Sequence, residues 1–444
     1  MSAQYEELIG NAILGIDTIW GGDVMCPSGT GRFIADSWFS GAALPRAYTA
    51  PAAARVRESG GVGAKSPDAA AIEGYLAQVD IPAAIAGMKS AAAGFGDLRG
   101  EYLSGLALCF EAMWDLAMEI LGKGPAVPYE RCVLASCGQG PEPSDPVRKR
   151  ERVAELLGCS GSDRAALLAA VDTWRKQQRV SMASVRLLGA AVIGHFDALT
   201  ARNVVPYLPA ELHDVPRANI AFLPIQEAWF SGSMNYLGHA RRHGGEPEYE
   251  ASYEINASLE ISLPEFMQLV SHEVVPGHVT TFAYLQNLYW RKLVGFEASV
   301  LTMNTRAAAL FEGIANNAIL MAYGVTEVEE LPDSDLQLGV LLALLQDDAK
   351  NQSSYLTWGQ GRPVAEVAAA LRQDFCVSLE RADKLSGAWG RHPLLGRMYL
   401  PAYRAGTRKV AALRRAHKPE IFLPVVFGAA GLVDITTIDK MLVE

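Results

Sequence analysis

Along most of the chain, apolar residues return every three to four positions, the spacing of helices with one buried face. With capping and breaker residues as punctuation, this pattern predicts helices over Gly105–Leu121, Arg164–Gln178, Met182–Arg202, Pro264–Trp290, Val300–Tyr323, Gln337–Asn351, Pro363–Leu379 and Pro401–Ala416. Two stretches lack the pattern. Ser40–Ala71 is rich in Gly, Ala, Pro and Ser, and Lys123–Lys149 carries several prolines and glycines with two cysteines. Both are expected to be long surface loops. One segment alternates with the period of a strand: in Glu250–Ser262, Tyr253, Ile255, Ala257, Leu259 and Ile261 face one way and Glu254, Asn256, Ser258 and Glu260 the other. It runs into Ser262-Leu263-Pro264-Glu265, a Ser N-cap with Glu three residues on and Pro in the first turn, so the strand is expected to lead straight into a long helix.

These elements predict a mainly α fold with a small β element packed over the helix that follows it. Residues 1–215 are expected to form an N-terminal helical lobe and one wall of a deep cleft, and residues 216–444 a second lobe that carries the chemistry. The chain has 444 residues, ample for a large core. Its formal net charge of −10 disfavours nucleic acid and anionic membrane surfaces as partners. The six cysteines form no CxxC pair and are expected to be reduced. The opening MSAQYEELIG lacks the basic and apolar regions of a signal peptide, which leads to the expectation of a cytoplasmic protein. The longest clean apolar runs, such as Leu338 to Leu345, are too short to span a bilayer.

The chemistry is concentrated in Ser271-His272-Glu273-Val274-Val275-Pro276-Gly277-His278. Many zinc hydrolases use H-E-x-x-H, in which histidines at i and i+4 share a helical face and the Glu activates water at the metal. Here the second histidine is at i+6, which on an unbroken helix would point about 120° away from the first. The two extra residues are Pro276 and Gly277. Proline removes an i→i−4 bond and glycine tolerates the backbone that follows, so a bulge is expected to turn His278 back beside His272. Zinc needs a third protein ligand. Glu312 is the candidate, because its neighbours Ala307 to Ala315 are nearly all apolar and a lone buried carboxylate is costly unless bound or paired. An ordinary alternative is a Glu bonded to Arg306. Gly313 beside it would let another backbone approach.

These residues resemble a bacterial family known as domain of unknown function 885, a set of zinc metallopeptidase-like proteins with an HExxPGHH signature, distantly similar to the mostly helical carboxypeptidase Taq group. Tyr253-Glu254-Ile255-Asn256 matches the family's upstream strand, His272 to His278 its HExxPGH, Glu312-Gly313-Ile314-Ala315 its EGWA segment, and Tyr403-Arg404-Ala405-Gly406 its late tyrosine before a basic helix. Order and spacing hold over about the last half of the chain. Val279 stands where the family has a second histidine, which leaves His278 as the ligand, and Ile314 stands for the family's tryptophan.

The resemblance implies a zinc-dependent hydrolase in which His272, His278 and Glu312 hold the metal and Glu273 is the general base. Tyr403 is a candidate donor to the developing oxyanion. Arg404 could hold a substrate carboxylate, Asn256 could bond a peptide laid along the strand, and His392 could serve as a further donor. His239 and His243 are expected at the surface or a pocket rim, and His195 as a satisfied core histidine. Short peptides or small amides are the expected substrates. The alternatives are a specialised small-molecule reaction at the same metal, such as opening or closing a lactam-like ring, and a binding protein without activity on the same fold.

Overall fold

A computed structural model describes residues 3–22, 32–34, 44–225, 232–236, 248–256, 261–298, 300–428 and 431–442. Helices begin where a short polar side chain can take up the free amides of the first turn. Asp97, Asp163, Thr305, Asp333 and Ser378 all cap in this way. The principal helices of the N-terminal half are α1 (Ala3–Ile19), α2 (Ile81–Ala93), α3 (Leu98–Ile120), α4 (Tyr129–Cys137), α5 (Arg164–Gln177) and α6 (Val185–Asn203). Those of the C-terminal half are α7 (Leu263–Glu273), α8 (His278–Trp290), α9 (Arg306–Tyr323), α10 (Ser334–Ser354), α11 (Val364–Phe375), α12 (Leu379–Ser386) and α13 (Leu400–Ala416). The fold is mainly α, as the periodicity predicts.

Several boundaries differ from the expectation. Ser40–Ala71 is not a loop over its described part: it forms short helices at Arg46–Thr49 and Ala53–Glu58 and leads into Ala69–Leu76, with Ala47, Ala53, Val56 and Ala71 buried. Its alanines are core residues of tightly packed turns, a role that composition alone hides. Likewise Lys123–Lys149 contains α4, whose Cys132 and Cys137 are buried. The five described cysteines are all free thiols.

The predicted strand is realised as β3 (Ala251–Asn256), and it is not alone. It is the middle strand of a sheet, parallel to β1 (Ile220–Ile225) and antiparallel to β2 (Gly232–Tyr236), with Asn256 opposite Ile225. Residues 257–260 lie outside the described residues. Val300–Thr302, expected to open a helix, instead pairs with Arg32–Ile34, and α9 starts only after Thr305.

Helix α9 is encased: every residue from Ala307 to Ala322 is buried. The stretch Arg306–Glu330 is long and apolar enough to cross a membrane, but 83% of its apolar window is buried inside the protein, which makes it the core helix. Helix α13 lies directly on it at two glycines. A Cβ on Gly313 would stand 2.3 Å from the Gly406 carbonyl oxygen, and one on Gly406 would stand 1.8 Å from that of Ala309. Only glycine permits this approach, and it brings Tyr399, just before α13, within reach of Glu312.

Buried apolar side chains from Ile9 to Leu442 belong to one cluster, so the lobe boundary anticipated near residue 215 falls within a shared core. Ion pairs tie the halves together. Arg99 donates to both oxygens of buried Glu297 at 2.6 and 2.8 Å, and Arg397 to both oxygens of Glu119 at 2.6 and 2.9 Å.

Candidate metal centre

The segment predicted as one helix, Pro264–Trp290, is two. Helix α7 ends at Glu273, the Val275–Pro276 peptide is cis, and α8 begins at His278 with Gly277 as its N-cap. The two surplus residues therefore make a corner between helices and not a bulge within one. Gly277 is required there, because a Cβ would lie 1.8 Å from the His272 carbonyl oxygen. The Thr280 amide donates to the Val274 carbonyl at 3.1 Å and Thr281 Oγ1 to that of Gly277 at 2.8 Å, which ties the corner to the first turn of α8. The outcome expected of the bulge is reached by this other route: the two imidazoles face each other with centroids 4.8 Å apart, nearly perpendicular.

Glu312 projects from α9 into the same place. Its Oε2 is 3.5 Å from His272 Nε2 and its Oε1 3.8 Å from His278 Nε2. One ligand atom from each of the three residues lies within 4.8 Å of the others. Arg306 is not Glu312's partner; it donates instead to the Ala135 and Leu134 carbonyls at 3.0 and 3.5 Å. The Tyr399 hydroxyl donates to Glu312 Oε1, while Oε2 is buried with no hydrogen-bond partner among the described residues.

The orientation of His272 follows from a chain of donors. Thr407 Oγ1 gives its proton to the Tyr403 carbonyl at 2.7 Å, so it accepts from Asn316 Nδ2 at 2.8 Å. The Asn316 oxygen is thereby turned to His272 Nδ1, 2.8 Å away. An amide oxygen only accepts, so Nδ1 carries the hydrogen and Nε2 presents its lone pair to the cluster. His278 stacks on Phe282 at 10° between planes.

Burial holds both imidazoles neutral, pushing His272 well below the ordinary histidine range and His278 down to about 3, with the Lys350 charge acting in the same sense. Burial also raises Glu312, to about 7, against the opposing Lys350 charge and the Tyr399 hydrogen bond. Two neutral imidazoles and a carboxylate with an unsatisfied buried oxygen are the donor set that suits zinc. Glu273, the last residue of α7, is pushed up to about 8 by burial and then by the Glu312 charge, with Lys350 opposing.

Through His272 the cluster borders a cavity of about 460 Å³ between α7 and α10, closed by the first turn of α12, Trp389 and Tyr403. Of the described residues up to 215, Arg175 alone lines it, and the wall expected of the N-terminal half is made among the described residues by α10 and α12. His272, Glu273 and Tyr403 reach this cavity together. Arg404, Asn256 and His392 do not line it. Arg404 faces Asp348 and Glu142 at 3.4 and 3.6 Å. Asn256 is buried at the end of the middle strand, opposite Ile225 of β1. His392 Nδ1 accepts the Leu394 and Leu395 amides at 3.2 and 3.1 Å, a turn-closing role. His195 is bonded, 3.1 Å from the Tyr323 hydroxyl, but exposed and not in the core. His239 and His243 lie outside the described residues. Val279 and Ile314, the two departures from the family signature, are both buried.

Three further residues belong to the site that no sequence motif marks. Asn316 sits one turn past Glu312, a spacing the sequence offers. Lys350 is buried on α10, its Nζ 2.9 Å from Asp347 Oδ1 and 3.2 Å from the centre of the Tyr403 ring. Tyr399 gives no sequence signal, since its reach to Glu312 depends on the α9–α13 contact.

Fold and site define a mainly helical protein with a two-histidine, one-glutamate cluster at the side of a small cavity. No family model matches the chain, and no curated protein matches it. Solved structures share the fold. A candidate lipoprotein from Colwellia psychrerythraea aligns with TM-score 0.50 and 13% identity over 81% of this chain, which spans 66% of that protein. A candidate lipoprotein of unknown function from Shewanella oneidensis aligns with TM-score 0.50 and 15% identity over 93% of this chain and 83% of its own.

Proposed function

We propose that the protein is a zinc-dependent hydrolase of amide bonds in short peptides or small amides, akin to the domain of unknown function 885 family that its C-terminal half resembles. The observation that carries this reading is the convergence of His272, His278 and Glu312 beside Glu273 at the wall of a cavity. When bound, zinc supplies a Lewis acid that polarises the carbonyl and lowers the pKa of water. Glu273 takes a proton from the attacking water and returns it to the leaving amine. Tyr403 donates to the carbonyl oxygen as charge develops. Asn316 and Tyr399 hold His272 and Glu312 in place.

The cavity volume, in the lower half of the usual range of roughly 300–1,000 Å³ for small-molecule sites, supports short substrates. It equally favours a cyclic amide, the second reading. The test is metal analysis of protein purified without added metal, with activity screening on linear peptides of increasing length and on lactams. Absence of zinc would sink the proposal. Full zinc occupancy with lactam but no peptide cleavage would select the second reading. As to location, the description of both structural neighbours as lipoproteins favours a membrane-associated or secreted protein over the cytoplasmic one expected from the sequence. Cell fractionation distinguishes them.

A further inference from the structure

Helices α7 and α10 run side by side in the same sense along the cavity. At one end Gly339 abuts Pro264 and the Glu265 amide; at the other, Lys350 reaches the cavity beside Tyr403. Lys350 is buried, with 8% exposure, and its hydrogen-bond acceptor among the described residues is Asp347. An ammonium has three N–H groups. One goes to Asp347, and the Tyr403 ring face lies against the nitrogen, which leaves donor capacity toward the cavity. Lys350 lines the same cavity as His272 and Glu273. Arg381, in the first turn of α12, lines the cavity as well.

A second observation points to a ligand. Gln268 lies one turn before His272 on the cavity side of α7, 4% exposed, and its Oε1 is buried with no hydrogen-bond partner among the described residues. Buried amide oxygens are normally satisfied, and no donor for this one is found among the described residues, which fits a donor supplied by a ligand in the cavity. Along its length the cavity thus offers an unmatched acceptor, the His272 edge of the histidine–glutamate cluster with Glu273 beside it, and a buried cation.

We propose that the substrate is a small amide bearing a carboxylate, that Lys350 with Arg381 selects the carboxylate, and that Gln268 accepts an N–H on the other side of the scissile bond. This rests on the zinc hydrolase reading. It also replaces the role foreseen for Arg404, which is occupied by Asp348 and Glu142.

The test measures binding, by calorimetry at low salt, of two probes of equal length to the zinc-loaded protein: the monohydroxamate of succinic acid, which carries a carboxylate, and neutral butyrohydroxamate. Wild type should bind the acidic probe about ten-fold or more tightly than the neutral one, the scale of a charge-assisted hydrogen bond. In the double variant Asp347→Asn/Lys350→Met, loaded with zinc, the ratio of the two affinities should fall to about one whatever the absolute affinities; Lys350→Arg should retain most of the preference. Equal affinities in zinc-bound wild type, or a preference that survives in the double variant, would overturn this inference alone. Protein that takes up no zinc and binds neither probe would overturn the hydrolase reading and this inference with it.

Discussion

Asn316 and Glu312 stand one turn apart on α9, and they address the cluster differently: Glu312 supplies an oxygen to it, while Asn316 aims His272 from behind at 2.8 Å. One helix therefore provides a ligand candidate and the group that sets another ligand's tautomer. Because the helix is buried along its whole length, both are held rigidly.

Replacing Asn316 should consequently weaken metal binding without unfolding the protein. Asn316→Ala is expected to lower zinc affinity roughly 10–100-fold, the usual effect of losing a group that orients a ligand. Asn316→Asp keeps an acceptor for Nδ1–H and should hold affinity near wild type. Chelator competition reads both; unchanged affinity in the alanine variant would remove Asn316 from the site.

Glu273 borders the cavity but is not part of the three-residue cluster. Glu273→Gln should keep one zinc per chain and lose turnover by roughly 100-fold or more on any substrate found by screening. His272→Ala and His278→Ala should lose the metal itself. A Gln variant with near-normal turnover would exclude Glu273 as the base.

Tyr399 acts on Glu312 through its hydroxyl. Tyr399→Phe keeps the ring against Tyr403 and removes only that donor, so the fold should persist while zinc affinity drops by about ten-fold. Circular dichroism with metal titration separates this from general damage. No change in affinity would mean that Glu312 is oriented by packing alone.

The glycine contact between α9 and α13 yields a stability prediction. Gly406→Ala would drive a methyl into the Ala309 carbonyl and should destabilise by about 1–3 kcal/mol or more, with loss of metal as the helices part. Gly74, exposed within a short helix and with nothing within 4 Å of where a methyl would stand, is the control. Gly74→Ala should stabilise by about 0.4–1 kcal/mol through the unfolded chain. Thermal denaturation compares the two; a harmless Gly406→Ala would contradict the close approach.

By itself the sequence determined the helical class, most helix positions in the C-terminal half, the strand at Ala251–Asn256 and the set His272, Glu273, His278 and Glu312. These are local matters: hydrophobic period, capping residues, scarce histidines and a carboxylate in an apolar run are all readable within a turn or two. The alanine-rich stretch after Ser40 is not legible as helix, because alanine, glycine and proline look like a loop until neighbouring surfaces bury them. The corner at Val274–Gly277 is legible as a distortion but not as the end of a helix, since steric conflict with the His272 carbonyl arises only once the chain turns. The partners Asn316, Tyr399 and Lys350, and the exclusion of Arg404, Asn256 and His392 from the cavity, were decided by tertiary structure alone. Each depends on which helices touch and at what distance. Here that distance is set by two glycines, Gly313 and Gly406, which let α13 approach α9 closely enough for Tyr399 to reach Glu312.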